Sequence, residues 1–267
     1  MFKRMKSHRV LLSLFQIIAL TAASGCATLQ YRTVQSEFET AVRADNERFA
    51  SPFTEPASQY QAVAAQLTPD YINTLDPKLR PNAWTLRGVS QWRAGELAQA
   101  VESSNEGLAE IERLKPRAPQ LENGRDSIIL SMLPGLVEDT RVRERFRERG
   151  ATNIVEDYRE YSDRFRNAIR ALAEARRKVA APTPPEVVHY WNFQVWRVLA
   201  NWLSTISKLP RDARIEANTE ADAFVRTAFP SAALADVSDI LKAMNSAEAA
   251  IPDGHPYRTL IQLERQR

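Results

Sequence analysis

The chain has 267 residues, 44% hydrophobic and 26% charged, which suits one globular domain or two small ones. Lys3, Arg4, Lys6 and Arg9 account for four of its 36 bases, leaving 32 bases against 33 acids in the rest. That near-neutral balance argues against a nucleic-acid binder, which needs a concentrated basic surface.

The basic stretch Met1 to Arg9 precedes an apolar run, Val10 to Ala23, that is short for a membrane span and has the make-up of a secretory signal. Ala23-Ser24-Gly25-Cys26 resembles the bacterial lipobox, with Ala23 where that pattern prefers leucine. The resemblance implies a signal peptide over residues 1–25 and acylation of Cys26 with chains such as palmitate. Several acyl chains anchor stably, since each buried methylene adds about 0.8 kcal/mol. Ala27 is not the aspartate that favours retention at the inner membrane, so the resemblance implies the outer membrane, facing the periplasm. Cys26 is the only cysteine, and no internal disulfide can form.

Residues 26–56 read as a lipid-anchored segment with a first helix, whose apolar face carries Val34, Phe38, Ala41 and Val42. Ser51 to Pro56 is a loop. From residue 57 to 267 the pattern is helical throughout. Ser58 to Leu67 and Pro69 to Leu75 form a short helix pair, with Thr68 as N-cap before Pro69.

The stretch Pro81 to Lys115 is the most informative. Proline opens a helix at Pro81, and Gly95 stands where a helix-ending glycine turns left-handed. In the next helix Leu97, Ala100, Val101, Ser104, Gly107, Leu108 and Ile111 form one apolar or small stripe. Pro116 stops it. Gly88 and Gly107 each cost about 1 kcal/mol against alanine inside a helix, a cost that a close helix–helix approach explains.

Trp84, Gly88, Gly95, Ala100, Gly107 and Pro116 fall near the aromatic, small, turn, alanine, small and proline places of a tetratricopeptide repeat. The stretch therefore resembles one such helix–turn–helix unit of about 34 residues. Arg87 and Gln91 depart from it, standing where the repeat is usually apolar, and predict a wet side of the first helix. The resemblance implies a concave binding groove lined by Asn82, Thr85, Val89, Trp92 and Arg93. Two readings of that side follow. Val89 and Trp92 are core under another helix, with the aromatic helix around Trp191 to Trp202 as the expected cover; or Trp92 and Arg93 stay accessible and grip a partner. Continuity with Leu86 favours burial.

Downstream, Asp126 to Thr140 reads as an apolar helix interrupted at Pro134-Gly135. Arg141 to Arg149 carries alternating arginines that scatter around a helix, either a solvated helix end or a contact for anionic headgroups. Thr152 to Val179 is one long helix. Glu186 to Leu209, with Trp191, Phe193, Trp196 and Trp202, is apolar over most of its circumference and reads as a core helix. Arg211 to Phe229, Ser231 to Ala250 and a short final helix from His255 complete the chain.

No period-two alternation occurs, which predicts an all-α fold: antiparallel helical hairpins forming a tetratricopeptide-like superhelix, partly closed by a C-terminal bundle. Beyond the leader, His189 and His255 stand without partners at metal-ligand spacing. There is no Gly-x-Ser-x-Gly elbow and no phosphate-cradling glycine loop. No cofactor, metal or catalytic residue is expected. The leading expectation is a lipoprotein scaffold that binds another protein in envelope assembly. A lipoprotein holding a small apolar ligand as a transporter accessory and a cell-wall hydrolase with spatially paired carboxylates are the alternatives.

Overall fold

The computed structural model describes residues 27–44, 59–150, 153–179, 183–228, 237–255, 257–258 and 261. Every regular element among them is helical, and none is a strand, so the fold is all-α. The leader, Cys26, the loop at 51–56 and most of the final short helix lie outside the described residues. Among the described residues, no helix is long and apolar enough to cross a membrane.

Helix α1 covers residues 27–44 and buries Tyr31, Val34, Phe38, Ala41 and Val42. Helices α2 (Gln59–Gln66) and α3 (Pro69–Thr74) follow. Thr68 caps α3, its hydroxyl oxygen accepting from the Tyr71 N–H at 3.2 Å, as the Thr-Pro pair leads one to expect. Helix α4 (Arg80–Ala94) ends at Gly95, whose φ of +84° is the left-handed conformation that glycine adopts without strain. The Glu96 N–H reaches back to the Gln91 carbonyl at 2.8 Å and closes the turn into α5 (Leu97–Leu114).

Helix α6 (Arg125–Arg149) is the hub, packing on α4, α5, α7 (Ile154–Arg177) and α8 (Pro185–Ser207). The expected break at Pro134-Gly135 does not occur; α6 runs through Pro134. The missing N–H forfeits one helical bond. Full burial of Met132, Leu133, Leu136 and Val137 around it outweighs that loss. Gly135 serves packing: a Cβ there would stand 2.7 Å from the Ala168 carbonyl oxygen of α7. Gly88 and Gly107 act similarly. A Cβ on Gly88 would meet Leu133 of α6 at 2.7 Å, and one on Gly107 would meet Leu130 at 2.7 Å and Trp84 at 2.8 Å. The close approach thus involves α6 as well as the α4–α5 pair.

Helix α8 contributes the aromatic core, with Trp202 stacked on Phe165 of α7 at 5.8 Å. Helices α9 (Arg211–Ala228) and α10 (Val237–Ala249) flank it, α9 on α7 and α8, α10 on α8. One continuous hydrophobic cluster runs from Tyr31 to Ile261.

The wet side expected at Arg87 and Gln91 is only half present. Arg87 is half-buried, donating to the Leu67 carbonyl at 3.1 Å. Gln91 is buried, its side-chain amide hydrogen-bonded to Ser103 of α5 at 2.6 Å and placed to reach the Gln99 carbonyl and Arg87 as well.

Candidate functional site

The first three turns of α4 border a cavity of about 370 Å³. Phe38 of α1, Leu86 and Val89 of α4, Ile129 of α6 and Val187 of α8 supply apolar lining. Glu39, Arg125 and Glu186 supply charge, and Tyr190, His255 and Tyr257 line it from α8 and the C-terminal stretch. Tyr190 and Tyr257 stack with centroids 5.2 Å apart, and the His255 Nδ1 accepts from the Tyr257 N–H at 3.2 Å.

Asn82 organises the polar end. Its Oδ1 accepts from the Tyr31 hydroxyl at 2.6 Å and from the Gln35 Nε2 at 3.0 Å, while its Nδ2 donates to Asp126 Oδ1 at 3.0 Å. One side chain therefore ties α1 to α6 through α4. Arg125 stands 3.6 Å from the same carboxylate. Burial pushes the Tyr31 hydroxyl well above the usual tyrosine range, with the Asp126 charge adding to it. Burial also raises Tyr257, against the opposing pull of Arg125. Both phenols therefore remain protonated hydrogen-bonding groups at neutral pH.

The five expected groove residues divide. Asn82, Thr85 and Val89 line the cavity. Asn82 is engaged on both faces of its amide, and the Thr85 hydroxyl donates to the Pro81 carbonyl at 2.9 Å. Trp92 and Arg93 do not reach the cavity; they are 4% and 3% exposed. The Trp92 Nε1–H donates to Thr140 Oγ1 at 2.9 Å, so the cover over this end of α4 comes from α6, not from the expected α8. Arg93 lies 5.5 Å from the Trp92 ring centroid, which places its charge against an aromatic face. Neither side chain can grip a partner from the interior.

Gln35, Arg125, Asp126, Tyr190 and Tyr257 escaped the sequence reading because the cavity draws on five separate stretches of chain. Phe38 had a signal, its place on the apolar face of α1. His255 was visible as an isolated histidine but not as a cavity residue.

A second polar cluster lies further along α6. Asp139, fully buried, accepts from Arg143 at 3.1 Å, from Arg197 of α8 at 2.8 Å and from the Asn201 Nδ2 at 2.8 Å. It joins α6 to α8.

Among the described residues, no group of three or more His, Cys, Asp or Glu is placed to hold a metal. The cavity combines apolar walls with a charged and aromatic rim, an arrangement suited to non-covalent binding. Comparison with protein-family models, with curated proteins and with solved structures finds no match.

Proposed function

We propose that this chain is a lipoprotein of the bacterial outer membrane, anchored by acyl chains on Cys26 and facing the periplasm. In this reading α4 and α5 form a tetratricopeptide-like hairpin, and the domain is a scaffold that binds a segment of another envelope protein without catalysing a reaction. The observation that carries it is the cavity beside α4. Asn82, Thr85 and Val89, which the repeat resemblance assigns to the concave binding side, all line it. The start of α1 is tied into the domain, its Ala27 carbonyl accepting from the Tyr71 hydroxyl at 2.9 Å. In this reading, with acyl chains on Cys26, the start of the domain lies close to the bilayer.

Two variants test the reading. Cys26→Ser should lose all acyl mass and leave the membrane fraction; a wild type without acyl mass would sink the anchor. Leu86→Glu places a charge in the cavity wall from a half-buried position. Leu86 packs partly against the core, so the change should cost about 1 kcal/mol of stability, while weakening capture of the envelope partner by about 2 kcal/mol or more. Equal capture by wild type and variant would remove the cavity as the binding site.

A small apolar ligand is the second reading, favoured by the cavity volume of about 370 Å³, which lies in the small-molecule range. A ligand retained in native mass spectrometry would support it. Turnover of purified peptidoglycan would instead favour the hydrolase.

A further inference from the structure

The arginine run at the end of α6 is not uniformly solvated. Arg141 pairs with Glu138, Arg143 with Asp139, and Arg149 with Asp157 at 2.9 Å. Arg147 has no ion-pair partner among the described residues. It lines a cavity of about 500 Å³ together with Arg143 and with Lys208, which follows α8. No carboxylate lines that cavity. The acid nearest in the bonding network, Asp139, is fully buried and already shared between Arg143 and Arg197.

Two of the three cationic heads, those of Lys208 and Arg143, are also held in place. The Lys208 ammonium lies 3.8 Å from the Phe146 ring centroid, close enough for a cation–π contact to fix it. Arg143 is tied to Asp139 and, through a second nitrogen, to Thr140 Oγ1 at 3.2 Å. Phe146, half-buried, forms an apolar wall beside these charges, backed by the fully buried Phe165. Cations in the last turn of a helix answer its dipole, which accounts for Arg147 and Lys208 singly. It does not account for the convergence of Arg147 and Lys208, from two helix ends, on one concave surface whose third cation, Arg143, already shares the buried Asp139.

We propose that this cavity is a binding site for a small anion, a phosphate or carboxylate, carried next to an aromatic or other apolar group. The anion neutralises Arg147 and Lys208, Arg143 adds field from behind, and the apolar part lies beside Phe146, the half-buried ring of the lining. The chemistry fits a soluble metabolite or a lipid headgroup. Arg147 lies 21 residues along α6 from Asp126, about 30 Å, and Asp126 joins the cluster that adjoins the start of α1. If Cys26 anchors the chain, the cavity stands off the membrane, which favours the soluble source; the site itself does not depend on anchoring.

Calorimetric titration of the full-length protein in a non-ionic detergent tests it, with phenyl phosphate as probe. Phenyl phosphate should bind, inorganic phosphate should bind at least about tenfold more weakly, and phenol should not bind. Arg147→Glu with Lys208→Glu, both at exposed positions, should abolish binding while lowering the melting temperature by only a few degrees, through the lost dipole and cation–π contacts. Arg117→Glu with Arg214→Glu makes the same charge change outside the cavity and should leave binding intact. Doping the micelles with phosphatidylglycerol separates the sources: displacement of phenyl phosphate identifies a headgroup site, no displacement a soluble one, and either supports the anion site. Absence of phenyl phosphate binding, or equal loss in both double variants, overturns it.

Discussion

Helix α6 carries two polar clusters, and they differ in what they leave open. The Asp126 cluster is linked by a neutral amide, Asn82, and the Asp126 side chain keeps 19% of its exposure beside the cavity. The Asp139 cluster is linked by guanidinium groups and has no exposure at the carboxylate. The partly wet Asp126 is held by one amide bond from Asn82 and its neighbour Arg125, and tolerates a gap between helices. A fully buried carboxylate needs countercharge from more than one direction, which pulls α8 against α6 and closes the gap. Helix α4 spans both situations. Its first turns face the cavity, and its last turn, with Gln91, Trp92 and Arg93, is sealed.

The most severe way to break this contrast is Asp139→Ala. It removes the carboxylate from between Arg143 and Arg197 and should cost about 3–5 kcal/mol in urea unfolding. A loss below about 1 kcal/mol would mean that the cluster is solvated like a surface pair. Trp92→Ala, at the sealed end of α4, should cost about 3–5 kcal/mol through the cavity it leaves. Unchanged stability there would restore the accessible-groove reading of Trp92.

Asn82→Ala probes the open end and should have the smallest effect, about 1 kcal/mol, because water in the cavity can replace some of the lost bonds. Its distinguishing sign is local. Hydrogen exchange should rise in α1, which Asn82 ties to α6 through Tyr31 and Gln35. A uniform rise across all helices would mean that Asn82 supports the whole core and not that junction.

Much of the local structure was legible in the residues. Thr68-Pro69 marked a capped helix start, Gly95 marked a left-handed helix end, three- and four-residue recurrence marked α5, and an apolar, aromatic-rich circumference marked α8. Gly88 and Gly107 announced close packing but not its author, since the leucines they admit come from α6. The sealed state of Trp92 was foreseen from its apolar neighbours, but Thr140 as its partner was not.

The sequence by itself determined that the described chain is helical, where most helices begin and end, and which face of each is apolar. Those properties depend on dihedral preference and on neighbours within four residues, and so are written locally. Only the tertiary structure decided which helix covers which face. Gln91 is polar and yet buried, its amide hydrogen-bonded to Ser103, twelve residues away on α5. Pro134 stays helical because α6 is packed from several sides. The cavity beside α4 exists because residues from five distant stretches meet without filling the space between them. Such outcomes follow from side-chain volumes and hydrogen-bond partners brought together at long range, and no periodicity records them.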